Sequence, residues 1–361
     1  MADPHDQRRV NLYFQYCQGR QCQFLQADLQ TSLPRTLTFP SADKLVTLVE
    51  HGGGLPDLAS REALDHAIAT GRGEVFLQLT PDQYRPTPEC PPSRSYCYLP
   101  LYIFCGDQLL CARLRAANQD AAAGAVEEVS RMVAQLRQRW PEVKIILRAD
   151  SGFCREELMA WCEANHVDYV FGLARNKRLG RIIGAQMHEA HTLHQTTGKA
   201  ARVFTQFDYR TRKSWSCSRR VVAKAEFLDK GQNPRFIVTS LTPEQWSAQD
   251  LYEKFYCARG EMENRIKEQM CLFADRLSTD EMKANQLRLY FSALAYTLVE
   301  SLRRLGLKST AWAEAQVDTI RLKLLKIGAI VRISVRRVRL QLSSAYPWKD
   351  IYAAAFHALR C

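Results

Sequence analysis

The sequence lacks the short motifs that mark several common protein classes. No C-x-x-C pair occurs among its 12 cysteines, and a structural zinc site usually needs such closely spaced ligand pairs. There is neither a phosphate-binding P-loop nor the G-x-S-x-G turn of serine hydrolases. The eight histidines form no local triad pattern. These absences argue against zinc-finger, P-loop and serine-hydrolase proteins.

Long apolar runs are also missing. The most apolar stretch, residues 287–298, contains Arg288 and is shorter than the roughly 20 residues that cross a bilayer. No charged N-terminal segment precedes an apolar run, so the sequence predicts no secretory signal. Scattered cysteines without an export signal are typical of a reducing compartment. We therefore expect a cytoplasmic protein that does not contact a membrane.

Positive charge is in excess. Lys and Arg outnumber Asp and Glu by 50 to 38, which gives a net charge of +12 and favours a polyanionic partner such as nucleic acid. No acidic residue lies between Asp318 and Asp350, whereas eight basic residues do: Arg321, Lys323, Lys326, Arg332, Arg336, Arg337, Arg339 and Lys349. This tract predicts either a surface that contacts DNA phosphates or a solvated face of a terminal element.

Hydrophobic patterning predicts an α/β core. Two apolar strands flank the turn Cys105-Gly106-Asp107, which is typical of a hairpin. Helix, strand, helix and strand patterns then follow between residues 124 and 174, so part of the sheet should be parallel. Further segments are a strand at 74–79, strands at 201–241, helices at 250–304, a basic strand or ribbon, and a short C-terminal helix.

Asp150 lies three residues beyond the apolar strand at 143–147 and comes before a helix. A carboxylate at this position has two interpretations. It could cap the following helix, as could Ser151, or it could bind a divalent metal ion at the end of the strand.

The segment "DLYEKFYCARGEMENRIKEQM" (250–270) predicts a helix with an unusual stripe. Tyr252, Tyr256, Arg259 and Glu263 are spaced so that they share one face. We expect this face to be buried, and a buried carboxylate needs a partner. That partner could be a metal ion or the guanidinium of Arg259, one helical turn away.

Four segments together resemble the DDE group 1 transposases of bacterial insertion sequences. They are "YCYLPLYIFCGDQLLCARLR", "ILRADSGFCREELMAWCEANHVDYVFGLARN", "YCARGEMENRIKEQ" and "NQLRLYFSALAYTL". The resemblance extends from about residue 94 to the end of the chain. It implies an RNase H-like catalytic core interrupted by a β-rich insertion, and an Asp-Asp-Glu triad that binds divalent metal.

The resemblance assigns the second acidic residue of the triad to Asp150 and the third to Glu263. It further implies that Tyr256 and Arg259 contact DNA or position the glutamate. The family has a lysine where this chain has Met270, so Lys267 is the nearest substitute. The implied segments are a divergent N-terminal part that could carry the first core strand (1–93), the first part of the core (94–180), the β-rich insertion (181–249), the helical second part of the core (250–310) and a basic DNA-contacting segment (311–361).

The first acidic residue of the triad is harder to assign. The family places it on the opening strand, which should lie near residues 74–82, and Asp82 is the best candidate there. Glu89 lies among prolines that disfavour a position in a sheet. Asp82 also has a simpler interpretation as a turn residue after Pro81.

The resemblance therefore implies a DNA transposase that uses Mg²⁺ (or Mn²⁺). It would act as a nucleoid-associated homo-oligomer on double-stranded DNA, with transposon ends and target DNA as substrates. One alternative is a catalytically inactive DNA-binding remnant that lacks its first acidic ligand. A host nuclease of the same fold is a further alternative, less favoured because the later motifs match transposases closely.

Overall fold

The computed structural model describes residues 9–14, 24–30, 74–81, 98–275, 277, 279, 281–333, 338–343 and 345–359, with side chains described only from residue 98 onward and not at positions 259, 261, 338 and 340. The chain divides into two compact units. One contains residues 48–302, and the other contains residues 1–47 together with 303–361.

The unit of residues 48–302 is built on one mixed sheet, in which nine strands belong to the described residues. The strands are β3 (Glu74–Pro81), β4 (Leu101–Cys105), β5 (Gln108–Arg113), β6 (Lys144–Ala149), β7 (Asp168–Leu173), β8 (Ala201–Tyr209), β9 (Arg219–Leu228), β10 (Gly231–Gln232) and β11 (Arg235–Thr239). Their order in the sheet is β10-β9-β11-β7-β6-β3-β4-β5, and β8 also pairs with β9.

The centre of this sheet is parallel, as the sequence predicts. β6 pairs in parallel with β3 on one side and with β7 on the other, and the remaining pairs are antiparallel. β6 is apolar on both faces because both are covered. Ile145 and Leu147 face one cluster of buried side chains, while Ile146 faces another. A parallel strand that is buried on both faces typically reads as such a continuous apolar run.

Helices cover both faces of this sheet. They are α1 (Ala125–Arg139), α2 (Glu156–Ala164), α3 (Lys177–Ile182), α4 (Gly184–Thr197) and α5 (Met282–Ser301). A further helical segment, residues 248–274, changes type along its length and is called the mixed helix below. The start of the mixed helix buries Leu251, Tyr252 and Phe255 against Ile146, Val170 and Ile237 of the sheet. α5 is bound to the edge strand β5, because the Gln286 amide bonds the N–H of Leu114 and the carbonyl of Ala112 at 2.6 and 3.0 Å.

The second unit contains two antiparallel strand pairs among its described residues. One joins β1 (Arg9–Phe14) to β2 (Phe24–Gln30), and the other joins β12 (Ala329–Ile333) to β13 (Val338–Leu342). Its helices include α6 (Val317–Ile320), which continues as a π-helical turn (Arg321–Leu325), and α7 (Lys349–Ala358). We call the β12–β13 pair the ribbon.

The structure confirms the predicted strand at 74–79, the hairpin at Gly106, the basic ribbon and the C-terminal helix. Sequence patterning did not identify α3 and α4. The strands between residues 201 and 239 extend the main sheet through the β11–β7 pair. Their assignment as an insertion into an RNase H-like core stays a prediction. No helix among the described residues combines the length and apolarity that crossing a bilayer requires.

Candidate active site

Asp150 lies at the carboxyl end of β6, at the centre of the sheet. Its side chain is half-buried, and its Oδ1 accepts a hydrogen bond of 2.7 Å from the N–H of Gly152. The carboxylate therefore caps the short 3₁₀ turn Ser151–Phe153. α2 begins only at Glu156, and no side chain caps it. The capping interpretation is thus right for the 3₁₀ turn and wrong for the α-helix, because the turn separates Asp150 from α2.

A close approach joins the Asp150 turn to the mixed helix. Gly172 on the neighbouring strand β7 lies beneath the Tyr256 side chain. A methyl carbon at Gly172 would lie 2.5 Å from the Tyr256 hydroxyl and 2.8 Å from the backbone nitrogen of Ser151. Carbon atoms cannot approach so closely without displacement of a neighbour. Gly172 therefore leaves the space that the Tyr256 hydroxyl occupies beside Asp150 and Ser151.

Arg148 ties the same strand to the same helix. Its Nη1 donates a hydrogen bond of 2.6 Å to the carbonyl of Phe255, and its guanidinium lies over the Phe255 ring, 5.5 Å from the ring centre. Arg148 precedes Asp150 by two residues, and Phe255 precedes Tyr256 by one. This contact therefore holds the part of the mixed helix around Tyr256 near the carboxyl end of β6.

The mixed helix is not the regular α-helix that its spacing predicts. A short α-turn (Ala248–Asp250) leads into a π-helix (Leu251–Tyr256), a 3₁₀ turn (Cys257–Arg259), an α-helix (Gly260–Gln269) and a second π-turn (Met270–Ala274). π-Helical turns within helices are frequent at functional sites. Tyr252 and Tyr256 lie 5.7 Å apart between ring centres in the first π-helix, and burial raises the pKa of the Tyr252 phenol, which keeps it neutral.

The expectation that Glu263 faces the buried side is wrong, since its side chain is exposed. Tyr252 is buried, Tyr256 is half-buried, and the stripe then turns outward. The π and 3₁₀ turns change the number of residues per turn, so offsets that share a face of an α-helix do not share one here. The α-helical part instead buries Met262 and Ile266.

Several predicted residues lie outside what the structure describes. These are Asp82, Arg336, Arg337 and the side chain of Arg259, so the proposed Arg259–Glu263 ion pair stays a prediction. β3 ends at Pro81, the residue before Asp82, at the same edge of the sheet as Asp150. Glu74, the one acidic residue within β3, pairs with Lys144 at the amino end of β6. It is therefore at the end of the strands that is remote from Asp150. Lys267 is exposed.

Asp150 and Glu263 supply carboxylate oxygens, which are the donors that Mg²⁺ and Mn²⁺ prefer. Within the described part of the chain, no three His, Cys, Asp or Glu side chains are grouped closely enough to hold a metal ion. Asp82, the predicted first acidic residue of the triad, lies outside the described residues. The donor chemistry of Asp150 fits a divalent cation, since its carboxylate is half-exposed at a rigid strand end.

The basic tract divides into two structurally different halves. Arg321 forms an ion pair with Asp318 at 3.4 Å, and Lys323 lies over the Trp348 ring, 5.8 Å from its centre. Lys326 and Lys349 are exposed. On the ribbon, Arg332 and Arg339 are directly opposite each other and both are exposed.

Sequence analysis missed two residues that shape this site. Arg148 carries no signal of its contact with Phe255, which is 107 positions away. The sequence does carry a signal for Gly172, because an isolated glycine inside a strand often marks a close approach of another group.

The family model described as "Transposase DDE domain group 1" matches residues 93–361. The chain belongs to this transposase DDE domain family. The match covers the strand of Asp150, the mixed helix and the basic tract, and it leaves residues 1–92 unmatched. The predicted family and the predicted extent of the resemblance are both confirmed.

Among solved structures, this chain is similar to that of piggyBac transposase. The piggyBac structure was determined by cryo-EM as a synaptic complex with hairpin DNA. The two share 9% sequence identity with a TM-score of 0.34. The similarity covers 62% of this chain and 45% of the piggyBac chain, so this chain spans less than half of that structure's length. No curated protein matches the chain.

Proposed function

We propose that the chain is a DNA transposase that cleaves DNA at the ends of an insertion sequence and joins the freed 3′-hydroxyl to target DNA. The observation that carries this proposal is the meeting of two family motifs at one sheet edge. The Tyr256 hydroxyl and the Asp150–Ser151 peptide both lie close to the position that a methyl group at Gly172 would take, although Asp150 and Tyr256 are far apart in the sequence. In this proposal the core is RNase H-like.

Asp150 and Glu263 would hold Mg²⁺ or Mn²⁺, with Asp82 as the third ligand. Such ions, when bound, lower the pKa of a coordinated water or hydroxyl and stabilise the leaving oxygen of a phosphodiester. The chain's own residues supply the geometry. The Gly152 N–H orients the Asp150 carboxylate, and Arg148 holds the Tyr256 helix against the strand that carries it.

Tyr256 would contact the DNA strand beside Asp150. Its ring is only half-buried while its hydroxyl is seated over Gly172. A phenol in this position presents an apolar face on which a base can stack, and such stacking contributes about 1–3 kcal/mol per base. Arg259 and Lys267, on the same helical segment, would contact the phosphate backbone. We further propose that the active species is a homo-oligomer assembled on two DNA ends.

The test is cleavage and strand transfer on double-stranded DNA that carries the native sequences flanking the gene, with Mg²⁺ or Mn²⁺. Asp150→Asn, Glu263→Gln and Asp82→Asn should each reduce cleavage by at least about a hundredfold, because each removes charge that stabilises the transition state. DNA binding should persist in all three. Asp229→Asn and Glu244→Gln are matched controls, since both side chains are exposed on the surface.

If only Asp82→Asn retains activity, the first ligand is another residue. If the unmodified protein binds DNA but cleaves none with either metal, the chain is the inactive remnant and the proposed activity is wrong. If it cleaves DNA without regard to the flanking sequences and joins no ends, it is a nuclease.

A further inference from the structure

The ribbon places two positive charges directly opposite each other. Arg332 on β12 pairs with Arg339 on β13, and the neighbouring pair on that face is Ile330 with Gln341. Directly opposed residues of an antiparallel pair share a face, with their Cβ atoms about 4.5–5.5 Å apart. This face therefore carries two guanidinium groups and no acidic group.

Opposed like charges destabilise an isolated ribbon. Neither Arg332 nor Arg339 forms an ion pair with a residue that the structure describes, and both are exposed. The other face carries Ala329, Val331, Ile333 and Leu342, so the charge is confined to one side. The two opposed arginines lower the stability of the free protein. An anionic partner that binds this face would supply the missing negative charge and so account for their position.

The helical half of the basic tract differs. Arg321 is paired with Asp318 and Lys323 contacts the Trp348 ring, so both are engaged within the chain. The absence of acidic residues in the sequence does not distinguish these halves. The structure does, because Arg321 and Lys323 of the helical half contact partners within the chain, and none of the described residues forms an ion pair with the ribbon arginines.

We propose that the Arg332–Arg339 face of the ribbon is the DNA-binding surface of the C-terminal tract, and that Arg321 and Lys323 of the helical half are not part of it. The major groove, about 12 Å wide, admits a two-stranded ribbon. Inserted there, the two arginines contact the phosphate backbone, and Gln341 and Ile330 face the base edges. This inference rests on the proposed function for the identity of the ligand as DNA.

The test compares two double variants that remove the same charge from the two halves. DNA binding to a duplex carrying the native flanking sequence is measured from about 50 to 300 mM salt for Arg332→Gln/Arg339→Gln and for Arg321→Gln/Lys323→Gln. Removal of one phosphate interaction flattens the slope of log affinity against log salt by about 0.9. We expect the ribbon variant to flatten the slope by roughly twice this amount and the helical variant to leave it nearly unchanged.

A further variant guards against misfolding of the ribbon. Arg332→Lys/Arg339→Lys keeps both charges and should keep the salt slope of the unmodified protein. Equal effects of the two glutamine variants, or an effect of the helical variant alone, would overturn the proposal. A ribbon variant that binds DNA normally at every salt concentration would also overturn it, and would favour an acidic protein as the partner.

These outcomes are separate from those that test the proposed function. Asp150→Asn removes the proposed cleavage chemistry, and it should bind DNA with an unchanged salt slope. If the ribbon variants bind normally while the protein still cleaves DNA, only the ribbon proposal is wrong. If the ribbon variants show the expected slopes while the protein never cleaves DNA, only the proposed activity is wrong.

Discussion

The main sheet and the ribbon treat charged side chains in opposite ways. In the sheet, Arg219 on β9 is 3% exposed and makes hydrogen bonds of 2.6–2.8 Å to Glu156 and Glu163 of α2. Glu226, also 3% exposed, is bonded to Lys224 and Arg202. In the ribbon, two arginines oppose each other on an exposed face.

The charged groups of the sheet stabilise the fold through ion pairs within the protein. The arginines of the ribbon are the ones that we propose to bind DNA. A buried ion must be paired, because its desolvation is costly. An exposed ion tolerates a like neighbour, because water and salt screen the repulsion. Removal of one arginine charge should therefore lower the stability of the protein when the arginine is in the sheet and raise it when the arginine is in the ribbon.

The largest effect should come from Arg219→Met. The substitution leaves Glu156 and Glu163 without their cation, but both carboxylates are partly exposed, at 26% and 35%, and regain water. We expect the free energy of unfolding to fall by about 2–4 kcal/mol, toward the low end of the cost of breaking a buried pair. Urea denaturation measures it. Arg212→Met, at an exposed position, should change stability by less than about 0.5 kcal/mol.

Gly172→Ala tests whether the packing of the sheet fixes the site. The added methyl group would displace the Tyr256 hydroxyl or the Ser151 nitrogen, and such overpacking costs about 1–3 kcal/mol. Tyr256→Phe in the same background should recover part of this loss by removing the hydroxyl, but not the part due to Ser151. Urea denaturation of the single and double variants measures both effects.

Gly180→Ala is the matched control for Gly172→Ala. A methyl group at Gly180 in α3 would have no neighbour within 4 Å, and alanine is favoured over glycine in a helix by about 1 kcal/mol. Stabilisation at 180 and destabilisation at 172 are expected. A Gly172→Ala protein that is as stable and as active as the unmodified one would show that the close approach has no role.

Acid should lower the free energy of unfolding that the ion pairs of the main sheet contribute. It should leave the positive charge of the ribbon unchanged. The hydrogen bond from Arg219 lowers the pKa of Glu163 below its usual value of 4.5. A lowered native pKa contributes stability above the unfolded pKa, and that stability is lost as the pH falls below about 4.5 toward the native value. Urea midpoints measured between about pH 7 and pH 3 should fall, and Arg219→Met should flatten the fall. Arginines do not titrate in this range, so an unchanged pH dependence in that variant would contradict the assignment.

The smallest effect should be a gain. Arg339→Gln removes one of two opposed like charges, so it should stabilise the free protein by about 0.2–1 kcal/mol at low salt. The gain should shrink as salt is added, since salt screens exposed charges. Thermal denaturation at about 20 and 300 mM salt measures it. Destabilisation at low salt would mean that Arg339 has a counter-charge within the protein.

Local patterns in the sequence predict most elements of this fold, although not α3 and α4, and they predict the long-range contacts between elements poorly. The apolar run before Asp150 predicts a buried strand because burial on both faces leaves no alternation. The spacing of Tyr252, Tyr256 and Glu263 predicts one shared face, yet the π-helix breaks it. That π-helix packs against β7, β9 and β11, which are distant from it in the sequence. Likewise, the absence of acids marks a basic tract, but only the strand register shows which arginines are opposed.

β3 lies between β6 and β4 in the main sheet, although the family match begins only at residue 93. A chain trimmed to the matched residues would therefore lose an interior strand and expose two new edges, one of them on the strand that precedes Asp150. Unpaired edges of long apolar strands recruit other chains and promote aggregation. Such a fragment should accumulate in inclusion bodies, whatever the integrity of its catalytic motifs. β3 lies outside the matched residues, yet it completes the sheet of the matched domain.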